Sequence, residues 1–307
     1  MPETFSFNAI GFAGGGNRCY WQSGFFEALN ARLPQSPSYY VTVSAGAYHC
    51  AMILAGVGSR VRSAAFSFAK RNVPDINWSA LRQGRSPLVV GNLFREFLTQ
   101  QFGEEELRAI KAAPPMLIQL STPPRWMPGG LAALGSIAAY QIEKRLTDGA
   151  HSKAGRYLGL TPAWVSTHDL ATPAELVDAL MATSSVPPFM PIGRISGRAQ
   201  LDGGLVDNPP TLKLTETETA GGKTLLLTTR HGRLPPASAG RTVVGPSEDI
   251  TVNKFAISDE AGLRHAFETG LRDGEVFAGR LPFLLSSARQ RPLNMASCAA
   301  QDGKRRF

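Results

Sequence analysis

Cysteine is nearly absent. The chain of 307 residues carries three, Cys19, Cys50 and Cys298, too few and too scattered for a disulfide framework at this length. No Cys-x-x-Cys occurs, which removes the usual zinc and thiol-redox patterns. The three read as free thiols in a reducing compartment, and no metal site is expected. Long apolar runs are missing too. The longest suggestive stretch, around Leu131 to Tyr140, falls far short of the ~20 residues that span a bilayer. The first ten residues, MPETFSFNAI, lack the basic start and apolar core of a secretion signal. The expectation is a cytoplasmic protein, membrane-peripheral at most. Internal repeats and low-complexity tracts are absent. Charged residues are scarce at 18% against a usual ~25%. That scarcity suggests much buried backbone, or a surface that meets something less polar than water.

Acidic residues are the scarcer sign. Asp plus Glu is 24 and Lys plus Arg is 32, for a net charge of +8. The excess is concentrated. Between residues 60 and 95 stand Arg60, Arg62, Lys70, Arg71, Arg82, Arg85 and Arg95 against Asp75 alone. From residue 287 onward stand Arg289, Arg291, Lys304, Arg305 and Arg306 against Asp302 alone. Such stretches either attract phosphate, as on an anionic lipid surface, or simply aid solubility. A nucleic-acid partner is not expected, because neither aromatic interleaving nor a known motif accompanies them.

What is present reads as an α/β chain. Phe5, Phe7 and Ala9 alternate with polar residues and lead through Ile10 and Phe12 into Gly14-Gly15-Gly16, a strand followed by a glycine loop. Trp21, Phe25, Phe26, Leu29 and Leu33 recur at helical spacing, and Pro34 and Pro37 stop that helix. Tyr39 to Val43 is β-branched and aromatic, hence a strand, with a helix behind it ending near Gly56 or Gly58. Further strands are expected at Met116–Leu120, Trp164–Thr167 and Thr224–Thr229. Further helices are expected at Leu131–Leu146, from Thr172 to about Ser184, and from about Glu260 to Arg280. Thr172-Pro173-Ala174-Glu175 has the form of a capping box. This alternation implies a mostly parallel central sheet with helices on both faces, a three-layer α/β/α domain spanning residues 1–307. Its site is expected at the carboxyl ends of the strands. The long connection around 121–160 reads either as a lid or insertion, with Trp126, Met127, Leu131, Leu134 and Ile137 facing acyl chains, or as core.

Three features carry chemistry. Gly14-Gly15-Gly16, between a strand and a helix, can aim backbone N–H groups at an anion, either a phosphate or a developing oxyanion. Alone it is also an ordinary tight turn. Thr42-Val43-Ser44-Ala45-Gly46 places a serine on a strand-to-helix turn, with Thr42 where the usual nucleophile elbow has glycine. Ser44 could equally cap the following helix. Asp202-Gly203-Gly204 is a turn whose aspartate is a general base only if it reaches Ser44. Nucleotide binding is disfavoured: the dinucleotide fingerprint needs glycine where Cys19 stands, and the Gly-Lys-Ser/Thr of a P-loop is missing. A Ser-His-Asp hydrolase would draw on His231 or His265, but Ser44 follows only the second strand. His49 lies about one turn past Ser44 and reads as a lining or surface residue. His151 and His168 have no partner pattern.

Taken in order, Gly14-Gly15-Gly16-Asn17-Arg18, Thr42-Val43-Ser44-Ala45-Gly46 and Asp202-Gly203-Gly204 resemble the patatin-like phospholipase family. So do the run from Ala182 to Pro191 and Leu205-Val206-Asp207-Asn208-Pro209-Pro210. The resemblance covers roughly residues 5–60 and 115–230. It implies a lipid acyl-ester hydrolase of the phospholipase A or lysophospholipase type, with no cofactor or metal. Ser44 would be the nucleophile and Asp202 the base, Gly14, Gly15 and Gly16 would form the oxyanion hole, and Arg18 would brace it. The substrate would be a phospholipid or other acyl ester, and peripheral contact with an anionic membrane would fit. Thr42, and Cys19 where members often carry glycine, leave a second reading: a weak or inactive lipid-binding relative.

Overall fold

The structure is a computed structural model that describes residues 5–70, 90–132, 135, 154–187, 189–232, 234–235, 238–254, 258–286 and 293–294. The helix expected at Leu131–Leu146 falls almost wholly outside the described residues. So do Arg71, Arg82, Arg85, His151, Cys298 and the basic residues after residue 287.

Ala9–Phe12 forms strand β1, shorter than the alternation from Phe5 suggests. A 3-10 turn, Gly16–Cys19, leads into helix α1, Tyr20–Arg32. Strand β2 is Tyr39–Val43, followed by helix α2, Ala45–Leu54. Four helices without a counterpart in the sequence analysis are α3 (Gly58–Ala69), α4 (Val90–Gln101), α5 (Glu104–Ala112) and the single turn α6 (Ala154–Tyr157). Strands β3 (Met116–Thr122) and β4 (Thr161–Ser166) bracket the long connection. Helix α7, Pro173–Thr183, starts at the expected capping box, with the Thr172 hydroxyl accepting from the Glu175 N–H. A hairpin of β5 (Gly193–Ile195) and β6 (Arg198–Asp202) follows, then α8 (Leu212–Thr219), β7 (Thr224–Leu227) and β8 (Arg241–Gly245). The long helix α9, Glu260–Ser286, and the short β9, Leu293–Asn294, complete the order.

The sheet order is β5-β6-β3-β2-β1-β7-β8-β9, with β4 also on β3. Pairings among β3, β2, β1, β7, β8 and β9 are parallel; β4, β5 and β6 are antiparallel additions. Period-two alternation divides the strands between two apolar layers. Ile10, Phe12, Tyr40, Met116, Ile118, Leu225 and Leu227 face a thick layer containing α1, α2, α7 and α9. Ala9, Val41, Leu226 and Val243 face a thin one closed by Leu214 of α8. This is the expected three-layer α/β/α fold. Its central strand β1 has parallel neighbours on both sides, and the connections leave in opposite directions, so a crevice opens above the carboxyl ends of β1, β2 and β7.

One register decides where the late aspartate lands. Strand β4 occupies one edge of β3 from Leu117 to Thr122. On the other edge β2 ends at Val43, opposite Gln119. Strand β6 takes up that same edge at the next residue, Asp202 opposite Leu120 and Leu201 opposite Ser121. Because β6 is antiparallel to β3, it runs head-on toward the end of β2. Asp202 and Ser44 thus meet along a shared neighbour strand.

Candidate active site

Ser44 stands between the last residue of β2 and the first of α2. Its backbone has φ 53° and ψ −137°, a conformation that strains any side-chain-bearing residue and projects it out of the turn. The turn is held from below. The Ser44 N–H donates to the Thr183 hydroxyl at 2.9 Å, and that hydroxyl donates to the Gln119 carbonyl at 2.6 Å. Thr42, the departure from the usual elbow, is a regular strand residue, fully buried, with its hydroxyl donating to the Leu117 carbonyl at 3.4 Å. The place where a side chain would collide is Gly46: a Cβ there would fall 2.6 Å from the Ala13 carbonyl oxygen.

Asp202 is 6% exposed. Its Oδ1 accepts a hydrogen bond from the Gly204 N–H at 2.7 Å, and together with Ser44 it lines one cavity. Burial pushes its carboxyl up to about 6. The nearby Ser44 hydroxyl, the bond from Gly204 and the charge of Lys254 pull the other way and are outweighed. Gln119 also grips this turn, its side-chain amide donating to the Gly203 carbonyl at 3.0 Å and the Asp207 carbonyl at 2.7 Å. A single residue of β3 therefore braces both the serine turn and the aspartate turn.

The glycine loop lies against the serine. A Cβ on Gly14 would sit 2.9 Å from the Ser44 Cβ. The Gly14 N–H donates to Asn208 Oδ1 at 3.0 Å, and the Gly14 carbonyl accepts from the Thr229 hydroxyl at 3.1 Å. The Asn17 N–H donates to the Lys254 carbonyl at 3.1 Å. Gly16 takes φ +58° with its Cα against that carbonyl, a position closed to other residues on both counts. Gly14 is thus an anchor of the loop, and Gly15 and Gly16 are the expected donors whose N–H groups these bonds do not engage. Arg18 lines the same cavity.

That cavity, of about 430 Å³, is bounded by Gly14, Gly15, Gly16, Ser44 and Asp202 at its polar end. Phe68 of α3, Leu93, Phe94 and Phe97 of α4, and Val186, Phe189 and Met190 form an apolar wall. Among the described residues no histidine is placed to supply a base. His231 Nδ1 lies 3.0 Å from the Pro246 carbonyl, and His265 pairs with Glu248 at 3.7 Å; neither lines the cavity. His168 contacts the Ala113 carbonyl. His49 does line it, but from a buried position with Nδ1 2.6 Å from the Ser23 hydroxyl, and burial lowers it to about 3, so it stays neutral. Cys19 is buried, its thiol pushed up to about 12 by that burial, and is inert as a nucleophile. Among the described residues no cluster of His, Cys, Asp or Glu could hold a metal ion, and no helix is long and apolar enough to cross a membrane.

Sequence reasoning missed Gln119, Thr183 and Asn208 as positioning residues. A signal existed for the first: a lone amide in the apolar strand Met-Leu-Ile-Gln-Leu has to find buried partners. A family model described as patatin-like phospholipase matches residues 11–215, two thirds of the chain, including Gly14–Arg18, Ser44 and Asp202. No curated protein matches the chain.

Proposed function

The chain belongs to the patatin-like phospholipase family, and from that premise we propose that it is a serine acyl-ester hydrolase acting on lipids through a Ser44–Asp202 dyad. The observation that carries the reading is that a serine on a strained turn and a buried, poorly solvated carboxylate, held against neighbouring residues of β3, line one cavity beside the glycine loop. An aspartate in water is too weak a base for a hydroxyl. Desolvation makes this one more basic, and its fixed position removes the orientational cost.

In the proposed reaction Ser44 Oγ bonds to the acyl carbonyl carbon while its proton passes to Asp202. The carbonyl π electrons move onto oxygen, where the N–H groups of Gly15 and Gly16 stabilise the negative charge. Collapse breaks the ester C–O bond, and Asp202 returns its proton to the departing alcohol. A water then repeats the sequence against the acyl-serine, releasing the fatty acid and regenerating the hydroxyl. The apolar wall of α3, α4 and Val186–Met190 suits an acyl chain. Docking on an anionic membrane surface belongs to the same proposal. It is supported by Trp126 and Leu131, 77% and 62% exposed, beside exposed Arg125. The setting of Thr42 gives no ground for the inactive alternative.

The test is labelling with a fluorophosphonate probe, which reacts with an activated serine. Wild type is expected to label and Ser44→Ala to lose the label while keeping its melting temperature. Label that survives in Ser44→Ala places the nucleophile elsewhere.

A further inference from the structure

The segment that ends α7 touches both members of the proposed dyad. The Thr183 hydroxyl accepts from the Ser44 N–H at 2.9 Å. Two residues on, the Ser185 carbonyl accepts from the Asp202 N–H at 3.0 Å. Thr183 and Ser185 are buried, and each has its hydroxyl bonded: that of Thr183 donates to the Gln119 carbonyl at 2.6 Å, and that of Ser185 accepts from the Gly193 N–H at 3.3 Å. Between them stands Ser184, the C-cap of α7. Consecutive Cα atoms lie about 3.8 Å apart. Ser184 is thus one residue from the contact that holds the nucleophile turn and one from the contact that holds the base.

Ser184 differs from its neighbours in what it faces. It is half-buried and lines the same cavity as Ser44, Asp202 and the glycine loop; Thr183 and Ser185 do not. Its Oγ is shielded from water and has no hydrogen-bond partner among the described residues. A hydroxyl in that state has lost its bonds to water and gained none, which costs stability. Alanine would avoid that cost. The hydroxyl keeps a donor and two acceptor lone pairs in reserve, and rotation about its Cα–Cβ bond carries Oγ between staggered positions.

The proposed reaction supplies a use for such a group. One oxygen position stands beside Asp202 twice. The alcohol oxygen of the ester leaves from it, taking a proton from Asp202, and the water that attacks the acyl-serine enters it, giving its proton to Asp202. The two steps mirror each other, so a group that touches the first oxygen touches the second.

We propose that Ser184 is a catalytic residue that hydrogen-bonds this oxygen, donating to the departing alcohol oxygen as negative charge collects there and then holding the incoming water. The proposal rests on the hydrolase reading above. No proton is transferred to or from Ser184. The electron pair of the breaking C–O bond moves onto the alcohol oxygen, Asp202 supplies the proton, and the Ser184 O–H stabilises the charge in transit.

The experiment measures kcat/KM, which reports acylation, for wild type, Ser184→Ala and Ser184→Thr. The substrates are esters of one soluble medium-chain acid with alcohols of rising pKa, from p-nitrophenol to a simple alkanol. p-Nitrophenoxide leaves without help and an alkoxide does not. In Ser184→Ala the ratio of alkyl-ester to p-nitrophenyl-ester rate is expected to fall about tenfold or more. Ser184→Thr, which keeps the hydroxyl, is expected to recover it. The melting temperature of Ser184→Ala is expected to be no lower than that of wild type, because the free protein loses no bond. Equal slowing on every ester would mean a structural role and overturns the proposal. So does an unchanged ratio, and so does a lowered melting temperature, which would show the hydroxyl bonded in the free protein. Each of those results leaves the hydrolase reading standing. Wild type that turns over none of the esters, or turnover that survives Ser44→Ala, defeats that reading and the role of Ser184 with it.

Discussion

Asp202 is asked to be both buried and ionised, and its environment sets a measurable compromise. Its carboxyl titrates at about 6 in the fold, against 3.8 for the ordinary group. The proposed base works only when ionised, so kcat/KM on a soluble acyl ester is expected to fall as pH drops through about 6, by tenfold per unit below it. A rate that is flat from pH 7 to 4 would show that Asp202 is not the base. Stability has the opposite sign. The native state holds the proton more tightly than the unfolded chain, so between about 4 and 6 stability falls as pH rises, and above that window the full cost of burying the charge persists. Asp202→Asn should therefore abolish most turnover while raising Tm at neutral pH by roughly 2 °C or more. A lower Tm in a scan of that variant would mean that the carboxylate stabilises the turn more than its burial costs.

At the scale of elements, α2 is joined closely to the end of β1. Gly46 has no room for a side chain: a Cβ would lie 2.6 Å from the Ala13 carbonyl oxygen and 2.8 Å from that of Phe12, both backbone atoms. Gly46→Ala is expected to cost about 1–3 kcal/mol in a denaturant titration and, by tilting the helix that starts at Ser44, to lower turnover more than it lowers stability. Unchanged stability would mean that α2 can ride up freely. Elements with local signals were legible in sequence. The Thr172 box, the glycine loop after β1 and the serine turn after β2 all depend on neighbours a few residues away. What joins them was not. That β6 takes the edge of β3 one residue past the end of β2 is a pairing between segments 80 residues apart, and no local pattern encodes it. Antiparallel β4 and the apolar wall of α4 were hidden for the same reason.

For the whole molecule, the charge excess and the exposed apolar residues bear on the proposed membrane contact. Arg125, Arg194 and Arg198 are exposed, and the last two sit on the β5–β6 hairpin that ends at Asp202. Co-sedimentation with anionic vesicles is expected to weaken steeply as salt is raised, and Trp126→Ala should weaken what remains at high salt. Absence of binding at low salt would sink the contact; salt-insensitive binding would leave apolar insertion alone. The motifs pointed to the proposed chemistry because serine, aspartate and glycine are chemically specific. Two cations of the cavity lining, Arg230 and Lys254, stayed unread because they reach it only through β7 and β8, beyond the stretch in which the motifs occur.

Strand β3 works as a ruler. Val43 is set against one of its residues and Asp202 against the next, so the spacing of the proposed nucleophile and base is fixed by a backbone repeat, and the helices α3 and α4 that line the cavity's apolar wall play no part in it. Those helices can be resculpted, by mutation or over evolutionary time, to fit longer, shorter or branched tails. Substrate range can drift while the reacting centre keeps its dimensions.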